Sequence, residues 1–95
     1  WPRADETFHR VLVELCGNRR LAGMVMTVWE QTHRARMFTL KLRPLPVEST
    51  REHRAALEAI LAGDAMRARD IYRAHRERAR DSLMAIIEQY GLSQL

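Results

Sequence analysis

Apolar residues recur at the helical period along nearly the whole chain, and no stretch alternates with the period of a strand. Phe8, Val11, Leu12 and Leu15 predict a first helix over about residues 4–16. Gly17 ends it and Asn18 can cap the next. Leu21, Met24, Val25, Val28, Trp29, Ala35, Phe38 and Leu42 form a broad stripe, predicting a second helix over about residues 19–42. Pro44 and Pro46 forbid its continuation, so residues 43–48 form the linker. Ser49-Thr50-Arg51-Glu52 has the capping-box pattern, a hydroxyl at the cap and a carboxylate three residues on. It predicts a third helix carrying Ala56, Leu57, Ile60 and Leu61. Gly63-Asp64 is a stop followed directly by a start. A fourth helix then runs to about Tyr90 with Ala68, Ile71, Ala79, Leu83, Ile86, Ile87 and Tyr90 along one side, and Gly91 closes it. The expected fold is all-α, an antiparallel bundle of four helices.

Ninety-five residues make one domain at most, near the size where a metal or a partner chain commonly assists folding. An apolar fraction of 46% argues against disorder. No apolar run approaches the about 18 residues of a membrane span, and no signal peptide is visible. Cys16 is the only cysteine, so no internal disulfide forms and a reducing, cytoplasmic setting is expected. A start at Trp1 rather than Met predicts a piece of a longer protein. The net charge of +4 comes from 15 Arg and one Lys against 12 acids. The two signs interleave: Glu6/Arg10, Glu30/Arg34, Asp70/Arg73, Arg73/Glu77 and Arg78/Asp81 stand three or four residues apart. They predict solvated faces with local ion pairs rather than a nucleic-acid surface.

The histidines change this picture. His9 has Leu12 and Val13 at i+3 and i+4, His53 has Ala56 and Leu57, and His75 has Ile71 at i−4 and Ala79 at i+4. Each therefore lies on the apolar stripe of its helix, and Asp5, one turn before His9, shares that face. His53 stands ten residues before Gly63 and His75 eleven after Asp64. At 1.5 Å per residue both lie about 15 Å from the turn, so an antiparallel hairpin sets them side by side. One histidine on an apolar face is commonly a satisfied core residue. Three, with a carboxylate that is costly to bury unpaired, point instead to a site for a divalent ion such as Zn²⁺, Ni²⁺ or Mn²⁺. His33, with Glu30 and Arg36 at i±3, is expected at a boundary, in a structural or surface role.

Two enzymatic arrangements compete. Glu6-x-x-His9 and Glu30-x-x-His33 match half of a di-iron carboxylate bundle, but Glu52, Glu58 and Glu77 face polar neighbours, and His53 and His75 would have no role. A hydrolytic metal site needs a nearby general base. No nucleophile triad or Gly-rich phosphate loop stands in the sequence, and Cys16 continues the apolar stripe as an expected small core residue. The chain is expected not to be an enzyme.

Asp5-Glu6-Thr7-Phe8-His9 resembles the D-x-x-F-H motif of the FCD domain, the C-terminal ligand-binding domain of FadR-type members of the bacterial GntR transcription regulators. Cys16-Gly17-Asn18, then Glu52-His53, Ala59-Ile60 and Gly63-Asp64, and finally Arg73-Ala74-His75, resemble its later segments in the same order. The resemblance implies a helical, dimeric, effector-binding domain with Asp5, His9, His53 and His75 as metal ligands, the same four residues that periodicity selects. It further implies small organic acids as effectors. DNA would be contacted only through a winged helix-turn-helix domain that this sequence lacks, along with the first helices of a complete FCD bundle. An effector carboxylate at the open metal positions would meet Arg36, near the apolar stripe beside Trp29, or else Arg34, which Glu30 can pair at i−4.

Overall fold

The computed structural model describes residues 2–91, whose regular secondary structure is helical, with no strand among the described residues. The fold class is the expected one. Five helices form: α1 (Pro2–Glu14), α2 (Arg19–Gln31), α3 (His33–Phe38), α4 (Val47–Leu61) and α5 (Ala65–Tyr90), with one 3-10 turn at Leu40–Leu42. None of them is long and apolar enough to cross a membrane. The chain divides between Phe38 and Thr39 into two compact units.

In the first unit α1 packs on α2. Gly17 takes the left-handed conformation (φ +75°) that lets the chain turn, and the Asn18 side chain accepts from the Leu21 amide at 3.0 Å. Cys16 is exposed rather than in the core, because it falls in this turn, where its Sγ accepts from the Asn18 amide. The single second helix expected over 19–42 is interrupted at Thr32. The Trp29 carbonyl, which a continuous helix would give to the amide of residue 33, accepts instead from the Thr32 amide, the Thr32 hydroxyl and the Arg36 guanidinium. The stripe along α2 is wider than its packing: Leu21, Met24 and Val28 stay exposed while Ala22, Met26 and Trp29 turn inward.

In the second unit α4 and α5 form the expected antiparallel hairpin. Gly63 (φ +73°) makes the turn and the Asp64 carboxylate caps α5 at the Arg67 amide. Buried Ala56 and Ala59 on α4 let the helices approach closely, with Ile86 buried on α5. Leu57, Ile60, Leu61 and Tyr90, expected inward, are exposed, because the close approach is made over the alanines. Helix α4 also starts earlier than the Ser49 cap predicts. Pro46 stands at its N-cap and Thr50 donates to the Pro46 carbonyl at 2.7 Å, which leaves the Glu52 side chain free of capping duty. Among the described residues, Thr39 and His75 are buried beside Ala56, Ala59 and Ile86 in the second unit, and His9 and Arg36 are the buried residues of the first.

Candidate metal centre

The α4–α5 register brings His53 and His75 together as the residue count predicts. Their Nε2 atoms face each other at 3.1 Å, with ring centroids 4.6 Å apart and planes at 73°. His75 is 2% exposed and His53 is half-buried. Nitrogens that share one ion at about 2.0–2.1 Å lie roughly 2.9–3.4 Å from each other, so the pair already has the spacing of two ligands. On its other side, His75 Nδ1 is 2.8 Å from Glu52 Oε1. Arg78 grips the same carboxylate from α5, with Nε donating to Oε2 at 3.0 Å and Nη2 to Oε1.

The pattern made Glu52 a helix cap among polar neighbours, with no role beyond its place in the Glu52-His53 motif, and made Arg78 a surface partner for Asp81. The structure corrects both, since Asp81 pairs with Arg80. The signal that could have found them is the hairpin count itself: Glu52 neighbours His53, and Arg78 lies one turn beyond His75. The Arg78 hydrogen bond holds the Glu52 carboxyl down at about 2 against an ordinary 4.5, with burial opposing and the His75 contact assisting. The same pairing raises Arg78. A carboxyl depressed on folding stabilises the fold above its unfolded value and loses that contribution as pH falls towards the folded one. With Arg78 half exposed, solvent reduces the effect to about 1–2 kcal/mol. Metal-free protein is therefore expected to lose that stability between about pH 5 and pH 2. Glu52→Gln should flatten this part of the profile in urea titrations, and identical wild-type and variant profiles would refute it.

In the first unit Asp5 and His9 also meet, Oδ1 to Nε2 at 3.4 Å, one turn apart on α1. His9 is 4% exposed, and its ring lies against Trp29 (centroids 5.0 Å). Above Trp29 the Arg36 guanidinium stacks at 3.8 Å and donates to the Trp29 carbonyl (2.8 Å) and the Thr32 hydroxyl (2.6 Å). Trp29 and Arg36 line a cleft of about 320 Å³ together with Glu6, Arg10 and His33, while Arg34 is exposed. Glu6 leaves its expected partner Arg10, which pairs with Glu14, and lies 3.3 Å from His33 Nδ1 and 3.9 Å from Arg36 Nη2. His33 is exposed, which fits the surface role expected of it but places it outside the expected boundary. The Arg73–Glu77 pair forms as expected at 3.1 Å. The di-iron arrangement finds no support, because Glu6 and Glu52 each face a guanidinium and Glu77 is engaged by Arg73.

The described residues are all-helical, with a histidine pair in the second unit and an aspartate–histidine pair in the first. The family model for the FCD domain matches residues 1–78, and the chain belongs to the FCD domain family. FCD domains belong to transcription regulators, are associated with effector sensing in the GntR family, and often bind metal. No curated protein and no solved structure matches the chain.

Proposed function

We propose that this chain is the metal-dependent sensing domain of a bacterial GntR/FadR-type transcription regulator, coupling a small organic acid to DNA binding. Asp5, His9, His53 and His75 hold one divalent ion, Zn²⁺, Ni²⁺ or Mn²⁺. The observation that carries the reading is the meeting of His53 and His75, Nε2 to Nε2 at 3.1 Å, with His75 Nδ1 already committed to Glu52. Such a pair needs a proton or an ion between its nitrogens, and a hydrogen-bonded outer nitrogen is the usual setting of a metal-bound imidazole. Asp5 and His9 are a second donor pair of compatible chemistry.

When bound, the ion supplies positive charge at the positions its protein ligands leave open, where a carboxylate is attracted. Arg36 receives the effector's carboxylate, Trp29 provides an apolar wall, and Arg34 is the exposed alternative. The effector acts by binding one arrangement of the regulator better than another. DNA is reached through a winged helix-turn-helix domain outside this sequence, in the cytoplasm. Exposed Met24 and Val28 suit coverage in a homodimer.

Full-length protein is expected to carry one of these metals by elemental analysis. Stripping the metal should remove about 2.7 kcal/mol of stability if the free ion had stood at about 100 times its dissociation constant. For a domain of this size that lowers the melting midpoint by roughly 10–20 °C. Small carboxylic acids should bind the loaded protein and not the stripped one in calorimetry. Turnover abolished by chelation would replace the sensor with a helical-bundle metalloenzyme, and indifference to chelation would overturn both.

A further inference from the structure

Glu52 and Arg78 belong to no ligand set, yet they close on the most buried imidazole of the second unit. We propose that Glu52, clamped by Arg78, is the positioning residue for His75: it fixes the tautomer and ring angle that present a bare Nε2 to the ion. The proposal rests on the metal-site reading above.

Three observations carry it. Glu52 Oε1 lies 2.8 Å from His75 Nδ1, a good hydrogen-bond length. Both oxygens of the same carboxylate accept from Arg78, through Nε and Nη2. A carboxylate gripped by a guanidinium in this way is an acceptor only, so the proton between it and His75 belongs to Nδ1. The remaining lone pair is then on Nε2, the atom that faces His53 Nε2 at 3.1 Å.

A neutral imidazole without such a partner distributes its proton over both nitrogens and turns about χ2. Only the form with a bare Nε2 serves as a ligand here, and ligand nitrogens must be unprotonated to bind. The carboxylate also raises the basicity of the ring it holds. The arrangement spans the hairpin economically: the residue beside one histidine in sequence orients the other histidine in space. Arg78, one turn beyond His75 on α5, keeps the carboxylate from swinging to solvent, since it donates to both Glu52 oxygens and Glu52 is only 25% exposed.

The test compares full-length wild type with Glu52→Ala, Glu52→Gln and His53→Ala by competition titration with Zn²⁺ and by nitrogen NMR of the His75 ring in metal-free protein. Wild type should show the Nδ1–H tautomer at His75. Glu52→Ala should give a mixed tautomer and bind Zn²⁺ about 10- to 100-fold more weakly, as losing an outer partner of a metal ligand does elsewhere. Glu52→Gln retains an acceptor oxygen and should fall between the two, which a general loss of folding would not reproduce. If the alanine variant is too unstable to study, the glutamine variant and Arg78→Met carry the test alone. An unchanged His75 tautomer, or Zn²⁺ affinity unchanged in Glu52→Ala and Glu52→Gln, overturns the proposal. Failure of the underlying metal reading has a different signature: wild type and His53→Ala would bind Zn²⁺ equally poorly.

Discussion

Replacing His53 with alanine should weaken Zn²⁺ binding by about 100- to 1000-fold. Structural zinc sites bind with roughly 10–16 kcal/mol, so one of the four proposed ligands would be worth about 2.5–4 kcal/mol, and each 1.4 kcal/mol is about tenfold. His53 is the better target than His75 for physical reasons. His75 is almost fully buried and holds Glu52, so its removal would leave a cavity and a carboxylate short of a partner. His53 is half-buried, and its loss spares the Glu52–Arg78 clamp. His33→Ala is the control, because His33 is exposed and meets Glu6 rather than another histidine. Competition against a chelator of known affinity measures all three proteins. A His53→Ala affinity within about threefold of wild type, or an equal loss in His33→Ala, would remove His53 from the ligand set.

The success of the residue count at this pair has a physical basis. Gly63 and Asp64 are strong local punctuation, and the rise per residue of a regular helix is fixed, so the level of each histidine in the hairpin follows from its distance to the turn. Gly17 and Asn18 were legible for the same reason. What escaped the sequence depends on partners far along the chain. Glu52 looked like a cap because Ser49 stands three residues before it, but its partners are 23 and 26 residues away. The break at Thr32 was hidden because Arg36 reaches back seven residues to the Trp29 carbonyl. The apolar stripe of α2 gave the right period and the wrong burial, since periodicity reports which face is apolar and not what covers it.

The same break bears on how an effector would be felt. Arg36 is 8% exposed, stacked on Trp29 and donating to both the Trp29 carbonyl and the Thr32 hydroxyl, so it joins the end of α2 to α3. A carboxylate that drew on this guanidinium would compete with the contacts that shape the junction, which gives the bound and free states different local arrangements.

Arg36→Met should therefore do two separable things. Methionine replaces the aliphatic stem and loses the planar charge, removing two charge-assisted hydrogen bonds and a cation–aromatic contact. Together these are worth about 2–3 kcal/mol after allowance for non-additivity. Urea unfolding of the variant should show that loss, and Arg36→Lys should recover little of it, because an ammonium cannot lie flat on the Trp29 ring while reaching both acceptors. Separately, titration of candidate organic acids into metal-loaded protein should show affinity reduced by about tenfold or more, the worth of one charged hydrogen bond. Zn²⁺ affinity should be unaffected, since Arg36 donates no ligand. If stability falls as expected while the affinity for a bound acid is unchanged, Arg36 is a structural strut of the α2–α3 junction, and the proposed carboxylate contact passes to the alternative, Arg34.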